Sequence, residues 1–272
     1  MTSRSRSGLL ALLFITFGLS WGCWIPVVLS EESLPSSWVR WLTYAGALGP
    51  GAAGIALTYL SQDKARDDYW VRVADFSRIR LTWLIPILVL YPLATLLALL
   101  FDVSVTGIEP HLQTASRLLA EPSSITVFVI WILLLGPLPE ELGWRGYVLD
   151  RLQRNWSALT SSLILGLVWA VWHLPLFFVK GSYQHNLEFG SPSFWSYSVT
   201  IVALSVLFTW IYNNNARSIL AAILFHFVLN FTGSVVQGSP AAEVSRSILL
   251  VAVAAFVVRA WTPGTLSTRR LR

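Results

Sequence analysis

Two adjacent carboxylates are the most unusual feature of this 272-residue sequence. Glu140 and Glu141 follow directly on a long apolar stretch, whereas the other twelve acidic residues fall in predicted loops or in a basic stretch. Glu141 and Arg145 are four residues apart, so on a helix they share a face and can pair. Glu140 then points about 100° away from them. The spacing therefore predicts one carboxylate neutralised by Arg145 and one free for acid–base chemistry.

Three further polar residues lie inside apolar segments. His173 comes four residues after Trp169, and His226 comes four residues before Asn230. An interhelical hydrogen bond is enough to explain any one of them in a membrane. However, ionisable groups within membrane segments are costly and tend to mark functional sites. Together with the two glutamates, these residues predict one polar site shared by three segments.

The composition indicates an integral membrane protein. Hydrophobic residues make up 55% of the chain, charged residues only 12%, and the mean hydropathy is +0.62. Soluble domains carry about 25% charged residues, so an ordinary soluble enzyme and a disordered chain are excluded. The net charge of +5 is better explained by basic loops of a membrane protein than by nucleic-acid binding. The single cysteine, Cys23, excludes a disulfide framework and a cysteine-based zinc site.

Apolar stretches of near-spanning length recur along the whole chain, and no strand-like alternation is present. A helix needs about 20 residues to cross the hydrocarbon core. We therefore predict an all-α, polytopic membrane protein with a single transmembrane domain over residues 1–272. The eight predicted spans are 9–29, 39–60, 82–101, 122–139, 158–179, 195–213, 218–237 and 244–262.

The loop charges predict the orientation. With the amino terminus inside, fifteen of the nineteen basic residues fall on the inner side. The four outer ones are Arg40, Arg117, Lys180 and Arg246. By the positive-inside rule, both termini are predicted to be cytoplasmic.

The chain spacing also predicts where the site lies. Glu140 is fifteen residues before a turn near Asn155, and His173 is eighteen residues after it. Two antiparallel arms would bring these residues to the same level. His226 lies about 12 Å, at 1.5 Å per residue, from the predicted cytoplasmic end of the helix that contains it. These distances predict a site in the inner leaflet that opens toward the cytoplasm.

The second segment is rich in small residues between positions 46 and 54, with Pro50 in its middle. Small residues allow helix backbones to approach closely within a membrane. We expect tight helix packing and a kink at Pro50 rather than a direct role in the site.

These residues resemble the CPBP family of intramembrane proteases, which includes the type II CAAX prenyl endopeptidases and the bacterial Abi bacteriocin-immunity proteins. The resemblance covers residues 120–235, within a chain whose eight predicted helices match the family. Gly49-Pro50 also resembles a feature of the family. The matching motifs are Glu140-Glu141-x-x-x-Arg145, Trp169-x-x-x-His173 and His226-x-x-x-Asn230, with Trp in place of the commoner Phe.

The resemblance implies an intramembrane endopeptidase that acts on membrane-associated or lipidated peptides without a cofactor. Glu140 would be the general base, and His173 would help to activate a water molecule. His226 and Asn230 would donate to the developing oxyanion. The implied catalytic set is Glu140, His173, His226 and Asn230, with Glu141 and Arg145 in support.

Zinc hydrolysis is the mechanistic alternative. Glu140, His173 and His226 could supply a zinc site. Glu141 would then be the base. The sequence lacks a His-Glu-x-x-His motif, and Arg145 beside the carboxylates would oppose a cation. These features favour water activation without a metal.

Two other classes of function stay open. A non-proteolytic immunity factor or scaffold could retain the same fold, although the complete polar set argues against a decayed site. A proton-coupled transporter could also use buried glutamates and histidines, but the sequence shows no inverted repeat. The natural substrate and the oligomeric state do not follow from the sequence.

Overall fold

The computed structural model describes residues 3–60 and 63–267, and these residues form helices without any β-strand. The first seven helices are α1 Ser3–Ser30, α2 Ser37–Ala47, α3 Gly49–Tyr59, α4 Asp63–Ala74, α5 Leu84–Thr106, α6 Gln113–Ala120 and α7 Ser123–Leu135. The next seven are α8 Pro137–Gly143, α9 Leu149–Leu152, α10 Ala158–Trp172, α11 Tyr183–Asn186, α12 Pro192–Asn214, α13 Ile219–Val235 and α14 Pro240–Ala260. The architecture confirms the all-α prediction.

Six stretches of the described chain are long and apolar enough to cross a membrane. They are Gly8–Ser30, Leu81–Thr106, Ser123–Leu152, Ala158–Phe178, Pro192–Asn214 and Pro240–Ala260. The shorter apolar helix α13 matches the predicted span 218–237. The predicted span 39–60 is instead two short helices, because the helix is interrupted at Leu48 and restarts with Pro50 in its first turn. The fold is that of a polytopic membrane protein.

The prediction that Glu140 and Glu141 adjoin the end of a span is wrong. The helical path breaks at Gly136 and then continues from Pro137 through a π-helical turn at Trp144–Val148 to Leu152. Proline fits the first turn of a helix, so the chain can resume helical structure after the break. The glutamates therefore lie inside the membrane segment.

The assignment of Arg145 to the inner surface is also wrong, since its side chain is completely buried. Arg145 lies in the π-helical turn and faces the carboxylate of Glu141. Charge counting along a sequence cannot separate a buried, paired arginine from one in a loop. The asymmetry of the remaining basic residues does not depend on it.

Helices α3 and α8 contact each other backbone to backbone. A Cβ atom added at Gly143 would lie 2.4 Å from the carbonyl oxygen of Pro50, and one added at Gly51 would lie 2.8 Å from that of Pro139. A Cβ at Gly54 would meet the Leu142 carbonyl oxygen at 2.7 Å. The small residues of the second segment thus do pack tightly, and their partner is the helix that carries the glutamates.

The segments that connect the longer helices, including most of α4 and the short helices α6 and α11, lie at two faces of the bundle. The basic face comprises residues 66–83, 153–157, 215–218 and 261–267, and the opposite face comprises residues 31–36, 107–122, 179–191 and 236–239. Hydrogen bonds join Ala158 to Gly264 on the basic face and His111 to Gln237 on the opposite face. Arg269, Arg270 and Arg272 lie outside the described residues.

A buried charge cluster joins α4 to the rest of the basic face. Asp150 accepts a hydrogen bond from Tyr212 at 2.7 Å and pairs with both Arg72 and Arg217. Arg72 also donates to the Tyr212 hydroxyl at 2.6 Å. Burial lowers the pKa of Arg72, but Tyr212 and Asp150 raise it by more, so its pKa lies above the usual value. The cluster therefore stays charged and ties three segments together.

Tyr69 makes a second connection between α4 and the glutamate helix. Its hydroxyl donates to the Leu142 carbonyl oxygen at 2.9 Å, and its ring covers Gly146, where an added Cβ would lie 2.7 Å from the ring. The contact lies next to the π-helical turn, where the regular helical hydrogen bonds shift by one residue. Helix α4 therefore supports the glutamate helix from the basic face.

Candidate active site

The second glutamate of the pair is shared by an arginine and a histidine. One oxygen of Glu141, Oε1, lies 2.8 Å from Arg145 Nη1 and 2.7 Å from His226 Nδ1. Glu141 and Arg145 are fully buried. The four-residue spacing thus places Arg145 against Glu141 as predicted, and the fold adds His226 from α13. Because an ionised carboxylate can only accept, His226 donates its Nδ1–H to Glu141.

Aromatic rings enclose the buried guanidinium of Arg145. Its central carbon lies 4.0 Å from the ring centre of Phe208 and 4.9 Å from that of Trp169. A cation over an aromatic face is attracted by the ring quadrupole, and the attraction grows when water is excluded. These contacts help to hold a charge inside the membrane segment.

Trp169 links the first glutamate to the first histidine. Its indole Nε1–H donates to Glu140 Oε2 at 2.6 Å, and its backbone oxygen accepts from His173 Nδ1 at 2.9 Å. Since a carbonyl oxygen can only accept, Nδ1 of His173 carries a hydrogen. In the neutral ring, Nε2 is then left as an acceptor.

The second histidine also packs on Trp169. The ring centres of Trp169 and His226 are 5.5 Å apart, and those of Trp169 and His173 are 6.1 Å apart. Three helices thus bring Glu140 and both histidines around one indole ring. The gathering of these residues agrees with the prediction of a shared polar site.

Asn230 reaches the site at the break between α7 and α8. A Cβ added at Gly136 would lie 2.7 Å from Asn230 Nδ2 and 3.8 Å from Glu140 Oε1. The absence of a side chain at Gly136 therefore allows the Asn230 amide to approach the carboxylate. All six residues singled out in the sequence lie in this region.

Two aromatic residues of the site were not assigned from the sequence as site residues. The sequence shows Trp169 only as the aromatic residue four positions before His173, whereas in the structure it donates a hydrogen bond to Glu140. Tyr197 packs against His173, with ring centres 5.7 Å apart. The four-residue spacing from His173 indicates that Trp169 lies on the same helical face. Tyr197 comes from a different helix, α12, and belongs to no local motif.

The histidines offer limited capacity for a metal ion. Their Nδ1 atoms are engaged by Trp169 and Glu141, which leaves the two Nε2 atoms as possible ligands. Within residues 3–60 and 63–267, no group of three His, Cys, Asp or Glu side chains is arranged to hold a metal.

Comparisons with known proteins match the part of the chain that contains these residues. The family model described as "Type II CAAX prenyl endopeptidase Rce1-like" matches residues 122–232, a range that includes all six site residues. CAAX prenyl protease 2 of Methanococcus maripaludis is 29% identical over 248 residues, which cover 89% of this chain and 90% of that protein. The chain is thus similar to the Rce1-like family over the part that carries these residues, and to a CAAX prenyl protease over most of its length. It is therefore an intramembrane endopeptidase, a hydrolase of peptide bonds.

The Rce1-like match places the family core in the second half of the chain. The relative also aligns with most of the first half, which includes α3 and α4. These two helices contact the glutamate helix through Pro50 and Tyr69. The amino-terminal half of the chain thus supports the helix that carries the glutamates.

Proposed function

We propose that this Rce1-like protein cleaves membrane-associated peptides with a water molecule activated by Glu140. The observation that carries the proposal is the different bonding of the two adjacent carboxylates. Glu141 is paired with Arg145, whereas Glu140 has a single neutral donor, Trp169. Glu140 is therefore the carboxylate whose hydrogen-bond donor is neutral, and we propose it as the base.

The hydrogen bonding of His173 supports a role in placing the water molecule. Its Nδ1–H is held by the Trp169 carbonyl oxygen, so the neutral ring presents the Nε2 lone pair. That lone pair can accept one hydrogen of the water while Glu140 removes the other. General base catalysis of this kind contributes about 10² to 10⁴ in rate.

His226 and Asn230 are suited to bind the developing oxyanion. Asn230 offers its Nδ2 hydrogens beside Gly136. His226 already donates its Nδ1–H to Glu141 and can donate a second hydrogen from Nε2 when it is doubly protonated. Preorganised donors of this kind stabilise the transition state strongly in a site without bulk water.

The substrate that we propose is a lipidated peptide at the membrane. The name of the Methanococcus maripaludis relative describes a protease for CAAX prenyl substrates. A protein with six long apolar helices is itself held in the bilayer, where a lipid-modified peptide is concentrated. We therefore infer that the substrate carries a lipid group next to the cleaved bond.

We propose that the reaction needs no metal ion. Arg145 lies within hydrogen-bond distance of Glu141, and its charge would oppose a cation beside the carboxylates. Metal analysis of an active preparation and its treatment with a chelator would test this point. We expect the protein to stay active without bound metal. Bound zinc at one ion per protein, together with recovery of activity when zinc is added after the chelator, would instead support the zinc mechanism.

The proteolytic function can be tested with purified protein in detergent. A farnesylated peptide that ends in a Cys-aliphatic-aliphatic-X sequence is the substrate, and Glu140→Gln is the critical variant. Loss of about a hundredfold or more in rate is expected if Glu140 is the base. Glu121→Gln, at an exposed position on the opposite face, is the matched control and should cleave at the rate of the unmodified protein.

Each negative outcome has a distinct meaning. Equal cleavage by Glu140→Gln would refute the proposed base. If the unmodified protein does not cut the farnesylated peptide, membrane peptidomics of cells with and without Glu140→Ala would search for other substrates. A cellular phenotype that survives Glu140→Ala would favour a scaffold or immunity role.

We also propose that both termini are cytoplasmic. Outside the site, six basic side chains that the structure describes lie on the basic face and two on the opposite face. The positive-inside rule therefore assigns the basic face to the cytoplasm. Reporter fusions at each terminus would test this orientation.

A further inference from the structure

A small cavity lies on the basic face, and none of the six residues of the candidate active site lines it. Its volume is about 160 Å³, and it is found where the end of α9 meets the end of α12 and the turn that leads into α13. One water molecule occupies about 30 Å³ in the liquid, so the cavity has room for a small polyatomic group. The side chains that line it are Asp150, Gln153, Arg154, Asn213 and Arg217.

The charges at this cavity leave one cation without a partner. Asp150 offers no free oxygen, because Oδ1 accepts from Arg217 and Oδ2 pairs with Arg72. Asp68 pairs with the same two arginines, so two carboxylates and two guanidinium groups compensate one another. Arg154 is exposed and forms no hydrogen bond or ion pair within the part of the chain that the structure describes. The uncompensated charge at the cavity is therefore positive.

The neutral wall of the cavity is a pair of carboxamides. Gln153 Nε2 donates to Asn213 Oδ1 at 3.2 Å, and Asn213 Nδ2 donates back to Gln153 Oε1 at 2.8 Å. The second hydrogen of Asn213 Nδ2 goes to the Thr265 carbonyl oxygen at 2.7 Å. A carboxamide nitrogen carries two hydrogens, and the second one on Gln153 has no acceptor among residues 3–60 and 63–267. The wall therefore provides a donor beside Arg154.

The turn that carries Arg217 is held in place by the backbone. Ala216 and Arg217 have φ angles of +50° and +59°, a region that is unfavourable for residues other than glycine. The Arg217 amide donates to the Tyr212 carbonyl oxygen at 3.0 Å, and Arg78 donates to the Ala216 carbonyl oxygen at 2.8 Å. In this position 43% of the Arg217 side chain is still exposed. Because Arg217 is already ordered at the cavity, a ligand does not have to order it, which favours binding.

The donors and the position of the cavity both favour a phosphate group. Guanidinium and amide N–H groups match the oxygens of a phosphate in charge and geometry. The cavity adjoins the turn 153–157, where Trp156 is 39% exposed. Exposed tryptophans are typical of the membrane–water interface. Basic pockets between transmembrane helices at such a level bind the headgroups of anionic lipids.

We propose that this cavity binds a phosphate group, with Arg154 and Arg217 as the cations and Gln153 as a neutral donor. For a protein held in a bilayer, an anionic phospholipid is the nearest source of such a group, and a soluble phosphate ester is the other. The bound group would join the end of α9 to the turn before α13. Since it binds the folded protein, it stabilises that state. The inference does not depend on the proposed proteolysis.

Native mass spectrometry of the full-length protein in detergent tests the site. Phosphatidylglycerol is the anionic probe, and phosphatidylcholine is the lipid without net charge. We expect one phosphatidylglycerol molecule to bind in preference to phosphatidylcholine. Arg154→Gln should weaken this binding about tenfold, the factor that one hydrogen bond to a charged group supplies. Arg259→Gln is the matched control, since this exposed arginine lies at the same end of the bundle and does not line the cavity.

The comparison of the two variants separates a site from a general attraction. Equal weakening by Arg154→Gln and Arg259→Gln would indicate a diffuse attraction of anionic lipid to the basic face and would overturn the proposal. Unchanged binding in Arg154→Gln, or equal binding of the two lipids, would also overturn it. Glycerol 1-phosphate distinguishes the two sources: its competition with phosphatidylglycerol would support a site that also accepts soluble phosphate esters, and tight lipid binding without competition would support a lipid site.

Thermal unfolding provides a second measurement that needs no enzymatic activity. Without lipid, Arg154→Gln should melt like the unmodified protein, because the exposed Arg154 has no partner to lose. Phosphatidylglycerol should raise the melting temperature of the unmodified protein and of Arg259→Gln, but raise that of Arg154→Gln much less. An equal rise in all three proteins would contradict binding at this cavity.

Discussion

Adjacent residues of one helix can have opposite roles because the fold gives them different partners. Glu141 holds a buried arginine and a histidine, whereas Glu140 accepts from one indole group. The bonds of Glu141 stabilise the fold, because removing one member of a buried ion pair leaves the other charge uncompensated. The single bond of Glu140 leaves a carboxylate oxygen for chemistry. Substitution of each glutamate by the same residue should therefore give different results.

We predict that Glu141→Gln destabilises the protein, whereas Glu140→Gln removes activity and leaves the stability nearly unchanged. Loss of the Glu141 charge leaves Arg145 unpaired in the interior, which costs about 3–5 kcal/mol. Thermal unfolding in detergent would measure the difference between the two variants. Equal melting temperatures for both would contradict the structural role of Glu141.

Trp169→Phe should reduce cleavage about tenfold, because a lost hydrogen bond to a charged group is worth about 1.5–3 kcal/mol. The indole is the donor to Glu140, and the phenyl ring keeps most of the packing. Trp144→Phe is the matched control, since the buried Trp144 Nε1 has no hydrogen-bond partner among the described residues. A similar loss of rate in both variants would mean that packing alone explains the effect.

At the scale of helices, glycine positions set how closely α3 and α8 approach. The Pro50 carbonyl oxygen occupies the place where a side chain at Gly143 would begin. The contact fixes the position of α8 along its axis and its rotation about that axis, and α8 carries both glutamates. An added methyl group must therefore displace a helix backbone rather than a flexible side chain.

Gly143→Ala should lower both the melting temperature and the cleavage rate. Overpacking of this kind usually costs about 1–3 kcal/mol. Gly22→Ala in α1 is the control, because no described atom lies within 4 Å of its added Cβ. Thermal unfolding and peptide cleavage of both variants would check the prediction. A Gly143→Ala protein as stable and active as Gly22→Ala would contradict the close contact.

The sequence predicted those features that depend on local spacing. Apolar length predicted most membrane helices, and the four-residue spacing predicted the Glu141–Arg145 pair. The His226–Glu141 and Trp169–Glu140 hydrogen bonds join distant helices, so no local period encodes them. The interruption at Leu48 and the burial of Arg145 also depend on tertiary packing.

At the scale of the whole molecule, two opposite faces have different structures. The basic face is fixed by the cluster of Asp150 with Arg72 and Arg217, together with Tyr69 on the glutamate helix. The opposite face carries the short helix α11 and the partly exposed end of α13. The charged cluster and Tyr69 therefore support the glutamate helix from the basic face.

Asp150→Asn should destabilise the protein by about 2–4 kcal/mol. This lies toward the low end of the cost of breaking a buried ion pair, because Arg217 is partly exposed. The substitution removes the buried carboxylate between Arg72 and Arg217 and leaves them with Asp68, whose side chain is partly exposed. Asp67→Asn, at an exposed position of α4, should have little effect. Thermal unfolding would compare the two, and equal stability would contradict the role of the cluster.

The short helix α13 has a consequence for the surrounding lipid. Its 17 residues extend about 26 Å, less than the roughly 30 Å thickness of a typical hydrocarbon core. A bilayer meets such hydrophobic mismatch by local thinning. Thinning beside α13 would bring headgroups and interfacial water nearer to His226 and Asn230. Turnover in liposomes should therefore decline as the acyl chains of the phospholipids become longer.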